Sequence, residues 1–182
     1  MKIVKPLLIG ISIFLAIPAI LIAYFALPWI LVGVGVWLSP DPPEPEIRYG
    51  EFPFEIVYKL EGELHTINDV LVCEYDGVGV DEGRGKYIEW KGYLKSSGKA
   101  EIEEIVLYRK DNIQIVCDIG SPSYYMGEDE HMNGQSVTPC LILYEERESL
   151  TISHWLSEED EEQYHIELIS WTLSDPIVNT FE

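Results

Sequence analysis

From Pro6 to Leu38 the chain carries no charged side chain, and every Asp and Glu lies beyond Pro40. The hydrocarbon core of a bilayer is about 30 Å thick and is crossed by roughly 20 apolar residues in a helix. The run is longer than that, so residues 6–38 read as a membrane segment that tethers whatever follows. Lys2 and Lys5 precede it, and the first charges after it are Asp41, Glu44 and Glu46. Basic residues close to a span stay on the cytoplasmic side. The expected placement is a single-pass protein of the cell membrane, with its N-terminus cytoplasmic and its C-terminal domain extracytoplasmic.

A cleaved signal peptide is the rival reading. Its apolar core would be about 7–15 residues long and followed by a small-residue cleavage site. Here the run continues through Ile20-Leu21-Ile22, Pro28-Trp29-Ile30 and Val34-Gly35-Val36, and Gly33-Val34-Gly35 is the only small-x-small pattern near its end. Length favours a retained anchor. A straight helix over the whole run would be about 50 Å long, more than one perpendicular crossing needs. Pro18 and Pro28 each remove a backbone donor and favour kinks. Two arrangements are open: a tilted, kinked helix, or a span ending near Pro28 with Trp29 to Trp37 at the outer interface, where Trp is enriched.

Residues 40–46 follow as a short acidic linker, Pro40-Asp41-Pro42-Pro43-Glu44-Pro45, whose prolines favour an extended, stiff geometry. This divides the chain into an anchor (1–39), a linker (40–46) and a domain (47–182), the last large enough for a core of its own. Charge is lopsided. With Lys2 and Lys5 left behind the membrane, the exported part has 10 basic residues against 32 acidic ones, a net −22. Such a surface repels nucleic acid and anionic head groups; it suits cations, basic peptides or plain solubility.

Within the domain the dominant period is two. Phe52, Phe54, Ile56, Tyr58 and Leu60 share one face of a half-buried strand, and Pro53 places that strand at an edge or at its start. Glu61-Gly62 turns into a second strand through Leu64 and Ile67, which resumes at Val70-Leu71-Val72-Cys73, with Asn68-Asp69 as a bulge or a turn. Asp76 to Gly85 reads as a glycine-rich loop and a candidate binding surface. Ile88, Trp90 and Leu94 mark a third strand, ended by Ser96-Ser97-Gly98. Ile105 to Tyr108 and Ile113 to Ile119 flank a hairpin turn at Lys110-Asp111-Asn112. The pattern lapses from Ser121 to Pro139. Strands return over Leu141 to Tyr144, over Leu150, Ile152 and Leu156, and over Ile166 to Leu173. Ser157-Glu158-Glu159-Asp160 caps a short helix reaching Gln163. About eight strands and one short helix predict an all-β domain, an antiparallel sandwich or a barrel-like fold. The order Cys73, Trp90, Cys117 suggests an immunoglobulin domain, but too few strands separate the cysteines, and Ile115 stands where a tyrosine corner is required.

Chemistry is harder to find. His65, His131, His154 and His165 form no recognised pair, and Gly134-Gln135-Ser136-Val137-Thr138 lacks the second glycine of a nucleophile elbow. No catalytic residue is assigned, and a non-enzymatic role is the preferred reading. Calcium is the cation the acidic loops would suit, through Asp76, Asp81 and Glu82 or through Glu128, Asp129 and Glu130. Neither stretch has the Asp-x-Asp-x-Asn-Gly register of a calcium loop. Tyr124, Tyr125 and Met126 are candidate partner-binding residues on a loop; packing back onto the sheet edge is the alternative. Cys73, Cys117 and Cys140 each sit in an apolar run, as buried free thiols do. Three pairings remain open to a bridge.

Tyr49-Gly50-Glu51-Phe52-Pro53-Phe54 and Val72-Cys73-Glu74-Tyr75-Asp76-Gly77 resemble segments of small single-span membrane proteins of Gram-positive bacteria. That resemblance implies a place in the cell envelope and no active site. The functional expectation is a membrane-anchored extracytoplasmic β domain serving as a protein-interaction module toward another envelope protein. The alternative is a metal-dependent hydrolase or calcium-binding sensor using the acidic loops.

Overall fold

The computed structural model describes residues 4–81, 83–98, 105–128, 137–147 and 150–182. They form two compact units. One comprises residues 1–42 with 78–87, and the other residues 43–77 with 88–182.

The first unit is built on α1 (Val4–Leu38), a single helix that runs through Pro18 and Pro28 without ending at either. Ile20–Leu38 is long and apolar enough to cross a membrane, and none of it is buried by the protein itself. The helix ends where Ser39 folds back, its hydroxyl donating to Val36 O at 2.6 Å. Beside it stands the tip of a hairpin between β2 (Glu63–Asp81) and β3 (Gly85–Leu94). The expectation of a glycine-rich loop over 76–85 is corrected here, because strand geometry continues to Asp81. Gly79 permits this: a Cβ there would lie 2.5 Å from the Tyr87 ring, which packs across its backbone. Asp81 then closes the turn, accepting from Gly83 N at 2.7 Å and Arg84 N at 3.0 Å.

The second unit is a sandwich of two four-stranded antiparallel sheets. β1 (Tyr49–Leu60), β2, β3 and β8 (Ile166–Leu173) make one sheet in the order β3-β2-β1-β8. β4 (Ile105–Lys110), β5 (Ile113–Asp118), β6 (Cys140–Arg147) and β7 (Leu150–Trp155) make the other, in chain order. Neighbours in each sheet are thus neighbours in sequence, except that β8 returns to pair with β1. This is the circuit of an eight-strand meander left open at two seams, β3/β4 and β7/β8.

The period-two face of β1 supplies the core. Phe52, Phe54, Ile56 and Tyr58 are buried against Leu71 and Cys73 of β2 and against Ile105, Leu107, Ile115, Cys117, Leu141 and Leu143 of the facing sheet. Three sequence expectations about the strands change, two in this sheet and one in the facing sheet. β1 is central rather than an edge; Pro53 is tolerated because pairing with β8 begins only at Phe54, and Ser174 Oγ donates to Pro53 O at 2.7 Å. β2 does not break at Asn68-Asp69, since its ladder with β1 runs unshifted from Glu63 to Glu74. Asp69 serves the next turn instead, accepting from Ser96 N at 3.2 Å. β7 ends at Trp155, so Leu156 lies outside it.

The lapse after Ser121 contains an additional helical turn, α2 (Pro122–Tyr125), with Ser121 as N-cap and Pro122 in the first turn. The expected helix is present as α3 (Glu158–Tyr164), closed by a Ser157–Asp160 capping box. The proline linker is in part structural. Glu44 and Glu182 exchange backbone bonds at 2.9 and 3.0 Å, Glu46 N donates to Thr180 O at 2.9 Å, and Pro45 is buried.

Candidate functional site

A sheet edge offers unpaired backbone donors and acceptors, and proteins guard such edges with charged residues, lysine above all. The edges at one seam are guarded: β3 carries Lys86 and Lys91, with Lys95 just past its end, and β4 carries Arg109 and Lys110. β7 and β8 contain no Lys or Arg. Among the described residues β8 pairs on one side only, and the register slips between Val57 and Tyr58 of β1. Val57 faces Ser170 and Tyr58 faces Leu168, so Ile169 is the bulged residue and lies exposed.

Trp171 is opposite Ile56 in the ladder, on the core side of the sheet, yet 43% exposed, since β8 is the outermost described strand of its sheet. It borders a groove of about 270 Å³ with Leu173, Asp175 and Val137, above Tyr124 and Tyr125. The tyrosines were expected on an exposed loop with Met126. The structure corrects this: all three are buried. Tyr125 packs on Phe52 with ring centroids 4.9 Å apart, meets Tyr124 edge-on at 5.1 Å and donates its hydroxyl to Ile119 O at 2.7 Å. Met126 is wholly internal and contributes no contact surface. The aromatic pair therefore forms a fixed floor, and Trp171, which sequence reading placed on a strand face without assigning a role, is the accessible wall.

At the other end of β8 lies a wider, open depression of about 850 Å³. Glu61, Glu158, Glu161, Glu162 and Glu167 line it together with Lys59 and His165. Two of these acids, Glu158 and Glu161, belong to the first turn of α3, where the helix dipole favours them. His154 Nε2 lies 3.1 Å from Asp160 Oδ2, and the bonds from Ser157, with that from His154, hold the Asp160 carboxyl below its ordinary range. The free edge of β8 thus runs from an acidic end to an aromatic end.

The acids proposed for calcium are elsewhere engaged or apart. Asp81 is held by the turn amides of Gly83 and Arg84, which lower its pKa. Glu128 accepts Trp90 Nε1–H at 2.7 Å. Asp76 is exposed on β2. Glu82, Asp129 and Glu130 lie outside the described residues, as do His131 and Gly134-Gln135-Ser136. Among the described residues no three His, Cys, Asp or Glu side chains are grouped to hold a metal. On the outer face of β1 to β3, Glu51 accepts from Lys95 at 2.6 Å and from Tyr49, while Tyr93 donates to Glu74 at 2.8 Å. Hydrogen bonding to Glu51 pushes Tyr49 up to about 12, so these phenols stay donors rather than bases. The three thiols are free, and burial pushes Cys73 and Cys117 up to about 12.

The fold and these surfaces define a class: a small antiparallel β sandwich that follows one long apolar helix in the chain and has an outer strand, β8, without Lys or Arg. No family model, no curated protein and no solved structure matches the chain.

Proposed function

We propose that the protein is a membrane-anchored interaction module of the cell envelope, with α1 in the membrane and the sandwich outside it. The edge of β8 is its docking surface, taking an extended segment of another envelope protein as an added strand. In strand addition, main-chain hydrogen bonds supply affinity and flanking pockets supply specificity. β8 would present about 27 Å of ladder at 3.4 Å per residue. The acidic depression beside Glu167 suits basic side chains on such a segment, and the Trp171 groove suits an apolar or aromatic one. The observation that carries the reading is that, among the described residues, β8 has no outer neighbour, together with its lack of a guarding Lys or Arg. Lys2 and Lys5 at the N-terminal end of α1 and the acidic residues after it support the orientation. The resemblance to single-span envelope proteins points to the same compartment.

The test is site-specific photocrosslinking in intact membranes. A crosslinker at Ile169 is expected to give a discrete adduct that Trp171→Ala diminishes several-fold. A crosslinker at Lys91, on the guarded edge, is expected to give none. Equal yields at the two positions, or an Ile169 adduct indifferent to Trp171, would sink the proposal.

A further inference from the structure

The β2–β3 hairpin does not merely connect two strands; its tip leaves the sandwich and joins the unit built on α1. The join is specific. Lys86 Nζ donates to Trp37 O at 3.3 Å, Ser39 O at 2.7 Å and Asp41 Oδ1 at 2.8 Å. An ammonium has three donors, so all are committed to the point where α1 ends, where the helix dipole also favours a cation. Val80 and Asp81 stand beside Trp29, Val32, Gly33 and Val36 of the helix, around a cleft of about 270 Å³. The tip is therefore fixed alongside the last three turns of α1.

Those turns are surplus to the crossing. Lys5 to Pro28 already measures about 36 Å as helix, against a hydrocarbon core of about 30 Å. The surplus is apolar and uncovered: Trp29 is 65% exposed and Trp37 is 76% exposed. The hairpin beside it has the same character, with Val80 64% exposed and Val78 also open. Its charge departs from that of its domain. Asp81 and Glu82 are balanced by Arg84 and Lys86, so residues 78–87 are neutral where the exported part carries −22. Arg84 lies over the Tyr87 ring at 5.0 Å. Exposed aliphatics, an aromatic and a guanidinium on a neutral tip are what the head-group layer of a bilayer accepts.

We infer that the tip of the β2–β3 hairpin is a second membrane contact, seating Val78 and Val80 in the head-group layer beside Trp29 to Trp37, with Arg84 toward lipid phosphate. This rests on α1 being a membrane anchor, as proposed above. The occupant is a phospholipid surface, because the tip is fastened to the membrane helix itself and lacks the acidity that repels head groups from the rest of the domain.

The test uses the full chain reconstituted into phosphatidylcholine–phosphatidylglycerol vesicles, with an environment-sensitive fluorescent amino acid replacing Val80 or, as control, Leu150. Flotation reports the anchor, and quenching by lipids brominated near the head group reports the tip. Quenching at 80 at least three-fold stronger than at 150, in floating protein, is the expected result. Equal quenching at 80 and 150 in protein that floats overturns the hairpin contact and leaves the anchor standing. Protein that fails to float overturns the anchor, and the hairpin contact with it.

Discussion

Cys73 is wholly excluded from solvent between the sheets, and Cys117 faces it from β5. Burial disfavours the thiolate, so both thiols keep their protons to about 12, against an ordinary 9.0. The linkage has a definite sign. Above pH 9 the unfolded chain releases protons that the folded chain retains, so stability is complete below about 9 and declines as pH rises toward 12. Tyr125, whose phenol is also pushed up by burial, adds to the decline at its upper end. Urea midpoints of the detergent-solubilised chain are expected to fall between pH 8 and pH 10.5. Cys73→Ala, less stable at both values, is expected to show a smaller fall. A pH-independent midpoint would mean that the thiols titrate normally.

At the scale of elements, what was legible in the sequence followed from local period and caps. The alternation Phe52-Phe54-Ile56-Tyr58 located β1, and Ser157 with three following acids located α3. Ser157→Ala removes the side chain that accepts the Asp160 amide and is expected to cost about 1 kcal/mol. Asp160→Asn, which retains an oxygen in place, is expected to cost less in the same denaturation assay. Elements set by distant contacts were not legible. Gly77, Gly79 and Gly85 read as a loop because glycine usually punctuates; that Gly79 instead makes room for Tyr87 depends on the strand beside it. For α2 the signal was present, as Ser121-Pro122 is an N-cap followed by proline at the helix start. The surrounding run of serines and tyrosines obscured it. Trp171 was correctly put on a strand, but its accessibility depends on β8 being terminal in its sheet, which is a property of strand order rather than of any window of sequence.

For the whole molecule, the chain has one apolar helix and a domain whose acids all follow it. Protease added to intact protoplasts is expected to degrade residues 40–182 while sparing the helix, and to do so with the membrane unbroken. Complete protection until lysis would reverse the orientation. The long apolar helix, the acidity and the all-β class could be read from composition and pattern. The two proposed contact surfaces could not, since each unites residues far apart in sequence: Lys86 with Trp37, and Trp171 with Tyr124.

The return of β8 to β1 also sets a clock. Asn179 holds Ile47 through both of its amide atoms, Oδ1 accepting from Ile47 N at 2.9 Å and Nδ2 donating to Ile47 O at 2.8 Å, across 132 residues. At ribosomal rates of about 5–20 residues per second, that separation is on the order of ten seconds of synthesis. For that time β1 has a ladder partner on one side only, β2, because β8 is made last, after the strands of the facing sheet. The sheet of β1 therefore stays three-stranded until β8 is made. Whatever shields that strand during translation governs how much of the protein reaches its folded state.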